Sequence, residues 1–129
     1  KKMQEYQKSK KFIFQWARLF YMYGKGQNKS SLISQLDEAI IKKKLEFKMS
    51  GGKQIRDYLP VQKVAKNLFE LVEKKKGGIF NICSGIPISI EELVKKRIKE
   101  KKSSIRLKLG HYPYSDLEPM EFWGISNLK

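Results

Sequence analysis

Arg56 stands beside Asp57 between two short apolar stretches, just ahead of a helix-forming run, and is the strongest chemical candidate in the chain. The pattern puts Arg56 at the end of a short strand. From there a planar guanidinium can reach into a crevice and hold a diphosphate through two N–H groups at once. The same position also suits an arginine that pairs with a nearby carboxylate to steady a turn, a contact worth little energy. On the residues alone both readings stand. Tyr6 and Lys10 have the Tyr-x-x-x-Lys spacing in which an ammonium lowers a phenol's pKa for proton exchange. They lie in a polar helix end, however, and read as a decoy. Cys83 sits in an apolar run and reads as a small buried hydrophobe, not a nucleophile. His111, the one histidine, has no second His or Cys with which to ligate a metal and reads as a packing or surface residue. Asp116, Glu118 and Glu121 form an acidic cluster whose spacing matches no metal-binding loop. Met120, Phe122 and Trp123 could pack on a sugar ring, but aromatics in such a segment more often anchor it to the core.

The elements that must position these groups belong to a chain of 129 residues, one domain's worth and long enough to bury a core. Hydrophobic content of 40% and aromatic content of 12% are ordinary for a globular protein. No apolar run approaches the ~20 residues of a membrane-spanning helix, so no membrane is expected as partner. The first residues lack the apolar core of a secretory signal, and the absence of Met at position 1 suggests a chain that starts inside a longer protein. A single cysteine excludes an internal disulfide and makes a reducing cytoplasm the simplest compartment. The formal charge of +15 raises nucleic acid as a partner. Yet only Arg18, Arg56, Arg97 and Arg106 are arginines, and the lysines cluster in short runs on presumptive helix surfaces. Arginine reads phosphates and base edges better than lysine, so a solvated lysine-rich surface is favoured over a nucleic-acid footprint. A small basic module that binds nucleic acid or an acidic partner stays the alternative.

Hydrophobic periodicity gives alternating strands and helices. Residues 1–10 read as a helix end, Phe12 to Phe20 as a buried strand, and Tyr21 to Asn28 as a loop. Ser30 and Ser31 can cap a helix that buries Leu32, Ile33, Leu36, Ala39 and Ile40. Leu45 to Met49 alternates like a half-exposed strand, and Gln54 to Tyr58 can pair back onto it across the Ser50–Lys53 turn. Val61 to Glu73 is a helix with Val64, Ala65, Leu68, Phe69 and Val72 on one face, ended by Gly77 and Gly78. Ile79 to Cys83 is another strand, and Ser84 to Pro87 a turn. Ser89 with Glu92 is a capping box opening a helix that runs to about Lys101. Ile105 to Leu109 reads as an edge strand and the remainder as a packed, irregular tail. No internal repeat is visible, and the alternation implies an α/β layout.

Three segments carry a family resemblance. Arg56-Asp-Tyr-Leu-Pro-Val61 with Val64-Ala65, Arg18-Leu-Phe-Tyr-Met-Tyr-Gly24, and Phe80-Asn-Ile-Cys-Ser-Gly85 with Ser89-Ile-Glu-Glu-Leu93 stand in the order and approximate spacing of extended short-chain dehydrogenases. The resemblance is to the NAD-dependent epimerase/dehydratase family, which modifies nucleotide-linked sugars. It implies that Arg56 contacts a nucleotide diphosphate and that Phe47 lies against the base. It also implies that Phe20 and Tyr21 border the nicotinamide and sugar, and that the loop from Tyr23 and Gly24 to Gln27 runs beside the substrate pocket. The sequence departs from the family at Lys25 (usually Pro), Lys63 (commonly Asp) and Tyr21 (often Asn). Its tail lacks the Arg-x-Gly-Asp ending of better-known epimerases and looks more like a branch of epimerase/dehydratases and 4-keto-6-deoxysugar reductases. No Gly-x-x-Gly-x-x-Gly turn occurs anywhere, so a cofactor pyrophosphate has no obvious home. In the family the catalytic Tyr and Lys lie much further upstream of the Arg18-type strand than Tyr6 and Lys10 do, so no catalytic residue is assigned.

The expected fold is therefore α/β: the C-terminal strands of a doubly wound, Rossmann-like sheet plus a small α/β substrate-binding lobe. Residues 12–28 and 79–85 would complete the dinucleotide-fold sheet, with 29–78 and 86–129 forming the lobe. The expected function is the substrate-binding half of an NAD(P)-dependent nucleotide-sugar reductase, epimerase or dehydratase of polysaccharide synthesis. That half would act on a nucleoside-diphosphate 4-keto-6-deoxysugar and be inactive alone. The whole enzyme would use NAD or NADP, form a homodimer and work in the cytoplasm, with neither nucleic acid nor membrane as partner.

Overall fold

Short strands rich in aromatic and branched residues alternate with amphipathic helices, and the resulting architecture is mixed α/β. The computed structural model describes residues 2–9 and 12–128. In chain order the elements are α1 (Lys2–Ser9), β1 (Gln15–Leu19), β2 (Tyr21–Tyr23), α2 (Leu32–Ile41), β3 (Glu46–Lys48), β4 (Ile55–Arg56) and β5 (Tyr58–Pro60). They continue as α3 (Val61–Glu73), β6 (Gly78–Ile82), β7 (Ile88–Ser89), α4 (Ile90–Glu100), β8 (Arg106–Lys108) and β9 (Glu121–Phe122).

The helix boundaries follow from identifiable caps. Ser89 and Glu92 form the expected capping box: the Ser89 side chain accepts from the Glu92 N–H while Glu92 accepts from the Ser89 N–H. Ser31 is the N-cap of α2, but its hydroxyl donates to Ser34 Oγ and caps no backbone group. The helix ends differ from expectation. No glycine closes α3; Lys43, Lys75 and Lys102 adopt left-handed φ values of 51°, 48° and 50°, two residues past the ends of α2, α3 and α4. After α2, Lys43 N donates to the Ile40 carbonyl and Lys44 N to that of Ala39; after α4, Lys102 and Ser103 repeat the pattern on Lys99 and Ile98. These paired bonds satisfy orphan carbonyls at each terminus. The lysine runs thus sit where the helix dipole favours positive charge.

Strand pairing is mostly parallel. β1 pairs with β6, β2 with β5 and β3 with β8, all parallel, and β4 lies between antiparallel β7 and parallel β9. Two expectations fail here. Tyr21 to Tyr23 is a strand, with Tyr21 opposite Tyr58, not the start of a loop. Residues 54–58 do not pair back onto β3, because β7 and β9 take both margins of β4 while β3 pairs with β8, and the carbonyls just before β4 serve the first turn of α4. Ile90 N donates to the Gln54 carbonyl and Glu91 N to that of Gly52.

Two apolar clusters hold the chain together. Leu36, Ala39, Phe47, Met49, Ile90, Val94 and Ile105 join α2, α4, β3 and the segment before β8. Leu59, Val64, Leu71, Phe80 and Ile82 join α3 to β5 and β6, with Ala17 and Met22 packed alongside. The face of α3 is rotated from the predicted one: Val64, Asn67 and Leu71 are buried, whereas Phe69 and Val72 are two-thirds exposed. On the other side of the β1–β6 pair Trp16 and Ile79, directly opposite in register, also face outward. The outer edge of β6 is closed by a side chain. Asn127 Oδ1 accepts from Asn81 N at 2.8 Å and its Nδ2 donates to the Ile79 carbonyl at 2.9 Å, as a neighbouring peptide group would.

Candidate functional site

Arg56 and Asp57 face opposite ways from adjoining positions, as successive residues of an extended chain must. Asp57 is wholly buried and clasps the turn after β6: Oδ1 accepts from Ser84 N and Oδ2 from Gly85 N, both at 2.7 Å. Arg56 is 2% exposed and grips the tail. Its Nη1 donates to the carbonyls of Ile55 and Met120, and its Nη2 donates to Pro119 O at 2.8 Å and Glu118 Oε2 at 3.1 Å. The backbone repeats the connection, with Ile55 N donating to Met120 O. Of the two sequence-based roles of Arg56, the structure shows the ion pair: it holds a carboxylate, and it also forms a wall of a cavity.

That cavity, about 370 Å³, is lined by Tyr21, Gln27, Arg56, Tyr58, Gln54 and Glu118 among others. The Arg56 guanidinium lies 5.5 Å from the Tyr21 ring centroid, within cation–π range. Tyr21 in turn packs on Tyr58 at 5.3 Å and meets Phe122 edge-on at 6.2 Å. Burial, with Tyr21 close by, pushes the Tyr58 phenol up to about 12, so it is a neutral donor over the ordinary pH range. Burial likewise raises the Cys83 thiol, with Asp57 adding to the effect, which keeps it an inert hydrophobe as expected.

Of the residues singled out beforehand, Tyr21, Gln27 and Arg56 come together here. Tyr23 packs on Tyr58 but lines a second cavity of about 350 Å³, which Gln27 also borders. Gly24 makes this corner possible. Its φ is +154°, and a Cβ there would meet Val61 Cγ1 at 2.5 Å. Phe47 is not brought to either cavity. It is buried in the α2–α4 core and edges a separate surface hollow beside Lys42 and Lys48. Phe20 stacks on Phe122 at 5.3 Å, so Phe122 anchors the tail. His111 stacks edge-on against Tyr112. Among the described residues no group of three His, Cys, Asp or Glu could hold a metal ion. Tyr6 packs near Phe12 on an exposed surface, and Lys10 lies outside the described residues. Sequence reasoning missed Glu118, Asp57 and Tyr58 as site-forming groups. Glu118 had a legible signal: it is an acid in a chain where any buried arginine needs one.

A family model described as the NAD dependent epimerase/dehydratase family matches residues 1–83, nearly two-thirds of the chain. The chain belongs to this family. The match includes β2, Arg56, Asp57 and β6, while α4 and the tail lie beyond it. Among curated relatives, dTDP-6-deoxy-L-talose 4-dehydrogenase (NAD(+)) of Aggregatibacter actinomycetemcomitans is 27% identical over 109 residues, 84% of this chain and 40% of that protein. The fold matches UDP-N-acetylglucosamine 4-epimerase of Methanobrevibacter ruminantium, solved with UDP-N-acetylmuramic acid, at a TM-score of 0.85 and 22% identity. That likeness spans 98% of this chain and 42% of the epimerase. UDP-glucose 4-epimerase of Thermotoga maritima, with UDP-glucose, matches at 0.83 and 17% identity over 98% and 41%. The chain therefore spans about two-fifths of the length of these relatives, and its α/β fold is theirs. No Gly-rich phosphate turn occurs in the sequence, and Phe20, stacked on Phe122, lines neither of the two cavities at Gln27.

Proposed function

We propose that the chain is the substrate-binding part of an NAD(P)-dependent nucleotide-sugar reductase, epimerase or dehydratase, and that its ligand is a nucleoside-diphosphate 4-keto-6-deoxysugar. The observation that carries this is the Arg56 guanidinium in the wall of a cavity faced by the Tyr21 and Tyr58 rings. The guanidinium charge, with the one Nη2 N–H that Glu118 now occupies, can meet a phosphate, and flat apolar faces pack on a pyranose ring. The tail geometry supports exchange: Glu118 is 54% exposed and contributes one oxygen to Arg56, so a diphosphate can displace it. The curated relative named for a 6-deoxy-sugar supports the choice of sugar class.

In this reading residues 12–28 and 79–85 belong to the dinucleotide-fold sheet, and 29–78 with 86–129 to the substrate lobe. NAD or NADP, the catalytic Tyr and Lys, homodimer formation and hydride transfer belong to the whole enzyme, placed in the cytoplasm. No described helix is long and apolar enough to cross a membrane. The 129 residues alone do not turn over substrate, and neither nucleic acid nor membrane is a partner. The lysine runs support the former point, since they lie at helix C-termini.

A second role for Arg56 has an observation in its favour. The three bonds it donates to residues 118–120 make it a tether for the tail. Calorimetric titration with UDP and dTDP separates the two. Binding that Arg56→Lys weakens about tenfold or more at unchanged stability in urea unfolding supports the diphosphate role, whereas weaker binding that accompanies lost stability belongs to the tether. Equal binding by both proteins, or none by either, overturns it. Measurable hydride transfer by the 129 residues alone would falsify the statement on turnover.

A further inference from the structure

Helices α2 and α4 end in the same way and side by side. About one turn before each end, Arg97 pairs with Asp37, its Nη2 at 2.6 Å and its Nε at 2.9 Å from the carboxylate. Just past the ends, Arg106 N donates to the Leu45 carbonyl at 3.0 Å, and β3 and β8 then run parallel with Glu46 opposite Arg106. The two connections bracketed by these links are therefore neighbours. Lys42, Lys43 and Lys44 occupy one, while Lys101 and Lys102, preceded by Lys99, occupy the other; all are exposed. Among the described residues only Lys42 of this set has a carboxylate within ion-pair distance, Glu38 at 2.6 Å. Lys43 and Lys102 hold left-handed φ values of 51° and 50°, which glycine would adopt without strain. Both ends thus keep a charge where the backbone favours glycine. Ile41 and Leu45, 79% and 78% exposed, flank the first run.

The make-up of this surface narrows its partner. Nucleic acid is read by arginine and by aromatic stacking. Here Arg97 is committed to Asp37 and Glu100, Arg106 is paired with Glu46, and no aromatic residue stands in 41–46 or 98–106. Glu38, Glu46 and Glu100 lie among the lysines and would repel a uniformly anionic surface such as a lipid bilayer. A flexible acidic segment can set its carboxylates on the lysines and its apolar residues on Ile41 and Leu45, clear of those glutamates. The remaining run, Lys74 to Lys76, follows α3 and leads into β6, apart from the α2–α4 pair.

We propose that the paired ends of α2 and α4 form a docking surface for an acidic segment of a partner protein, one in which carboxylates alternate with aliphatic residues. The surface is independent of the nucleotide-sugar reading, since none of its residues lines the Arg56 cavity. The test is fluorescence anisotropy of a labelled peptide of alternating Asp and Leu, titrated with the whole chain. At ~0.15 M salt the Debye length is ~8 Å, so only lysines close to the peptide count. Lys43→Gly with Lys102→Gly removes two charges and the backbone strain together. It should melt no lower than wild type yet bind the peptide about fivefold more weakly. Lys44→Gln with Lys101→Gln, which leaves the left-handed positions untouched, should show the same loss. Lys75→Gln with Lys76→Gln should bind within about twofold of wild type. Ile41→Ser with Leu45→Ser should erase the preference for the Asp-Leu peptide over poly-aspartate of equal length. A wild type that binds no peptide, an equal loss in all the lysine variants, or tighter binding to single-stranded DNA or phosphatidylserine vesicles overturns the proposal.

Discussion

Replacing Glu118 by Gln gives the sharpest test of how the tail and a diphosphate share Arg56. Glu118 Oε2 sits 3.1 Å from Nη2 of an arginine that is 2% exposed, while the glutamate itself is 54% exposed. The ion pair is half in water, so its loss should cost under about 1 kcal/mol of stability. For a domain of this size that is a fall of a few degrees in Tm at most. The effect on binding has the opposite sign and is larger. A phosphate on Arg56 would lie about 5 Å from the carboxylate, where two unit charges repel by about 1–3 kcal/mol for effective dielectrics between ~80 and ~20. Removing that repulsion, with the geometry of the side chain retained, should tighten UDP binding by about fivefold or more. The gain should shrink as ionic strength rises, since the Debye length falls from ~30 Å at 0.01 M to ~8 Å at 0.15 M. Calorimetric titration of wild type and Glu118→Gln at the two salt concentrations measures both effects. Unchanged or weaker binding by the variant would show that Glu118 is no competitor of the ligand, and the displacement argument would fall.

Asp57→Asn should destabilise the protein by about 3 kcal/mol in urea unfolding, because an NH₂ would face one of two backbone N–H groups that a buried carboxylate now satisfies; a change under 1 kcal/mol would contradict the clasp. Tyr58 titrates late in the folded protein, near pH 12 against about 10 when unfolded. The neutral phenol is therefore favoured by folding, and this contribution is complete below pH ~10 and lost as pH rises toward 12. Absorbance at 295 nm should show a delayed tyrosine that Tyr58→Phe removes. Lys102→Gly should raise stability by up to about 1 kcal/mol, since glycine takes the left-handed φ of 50° without the side-chain strain; thermal melts that show destabilisation would refute that assignment.

Much of the fold was legible because local chemistry decides it. The capping box at Ser89 and Glu92 names its own helix start, and the apolar spacing of α2 survives in the buried Ile33, Leu36 and Ala39. What escaped was non-local. Nothing in residues 50–58 announces that their carbonyls will serve the first turn of α4, more than thirty residues on. The α3 face was misjudged because Phe69 and Val72 are apolar yet exposed, and hydrophobicity alone cannot say which apolar residues a domain covers. The lysine triplets read as solvated helix surface. They are helix endings, in which lysine stands at a position usually given to glycine. At the site, Arg56 was legible as a diphosphate grip or an ion-pair partner, and the carboxylate it holds lies 62 residues away. Phe47 carried a resemblance-based role; it packs in the core with Ile90 and Val94 and edges a hollow apart from the Arg56 cavity.

Asn127 gives the β1–β6 pair a direction. One edge of this ribbon ends in a side-chain amide that already occupies the peptide groups of residues 79 and 81. Among the described residues no backbone bond runs to the opposite edge, along β1. Another strand could join the β6 margin only by displacing the Asn127 amide, so a single side chain guards that margin against pairing with a second chain.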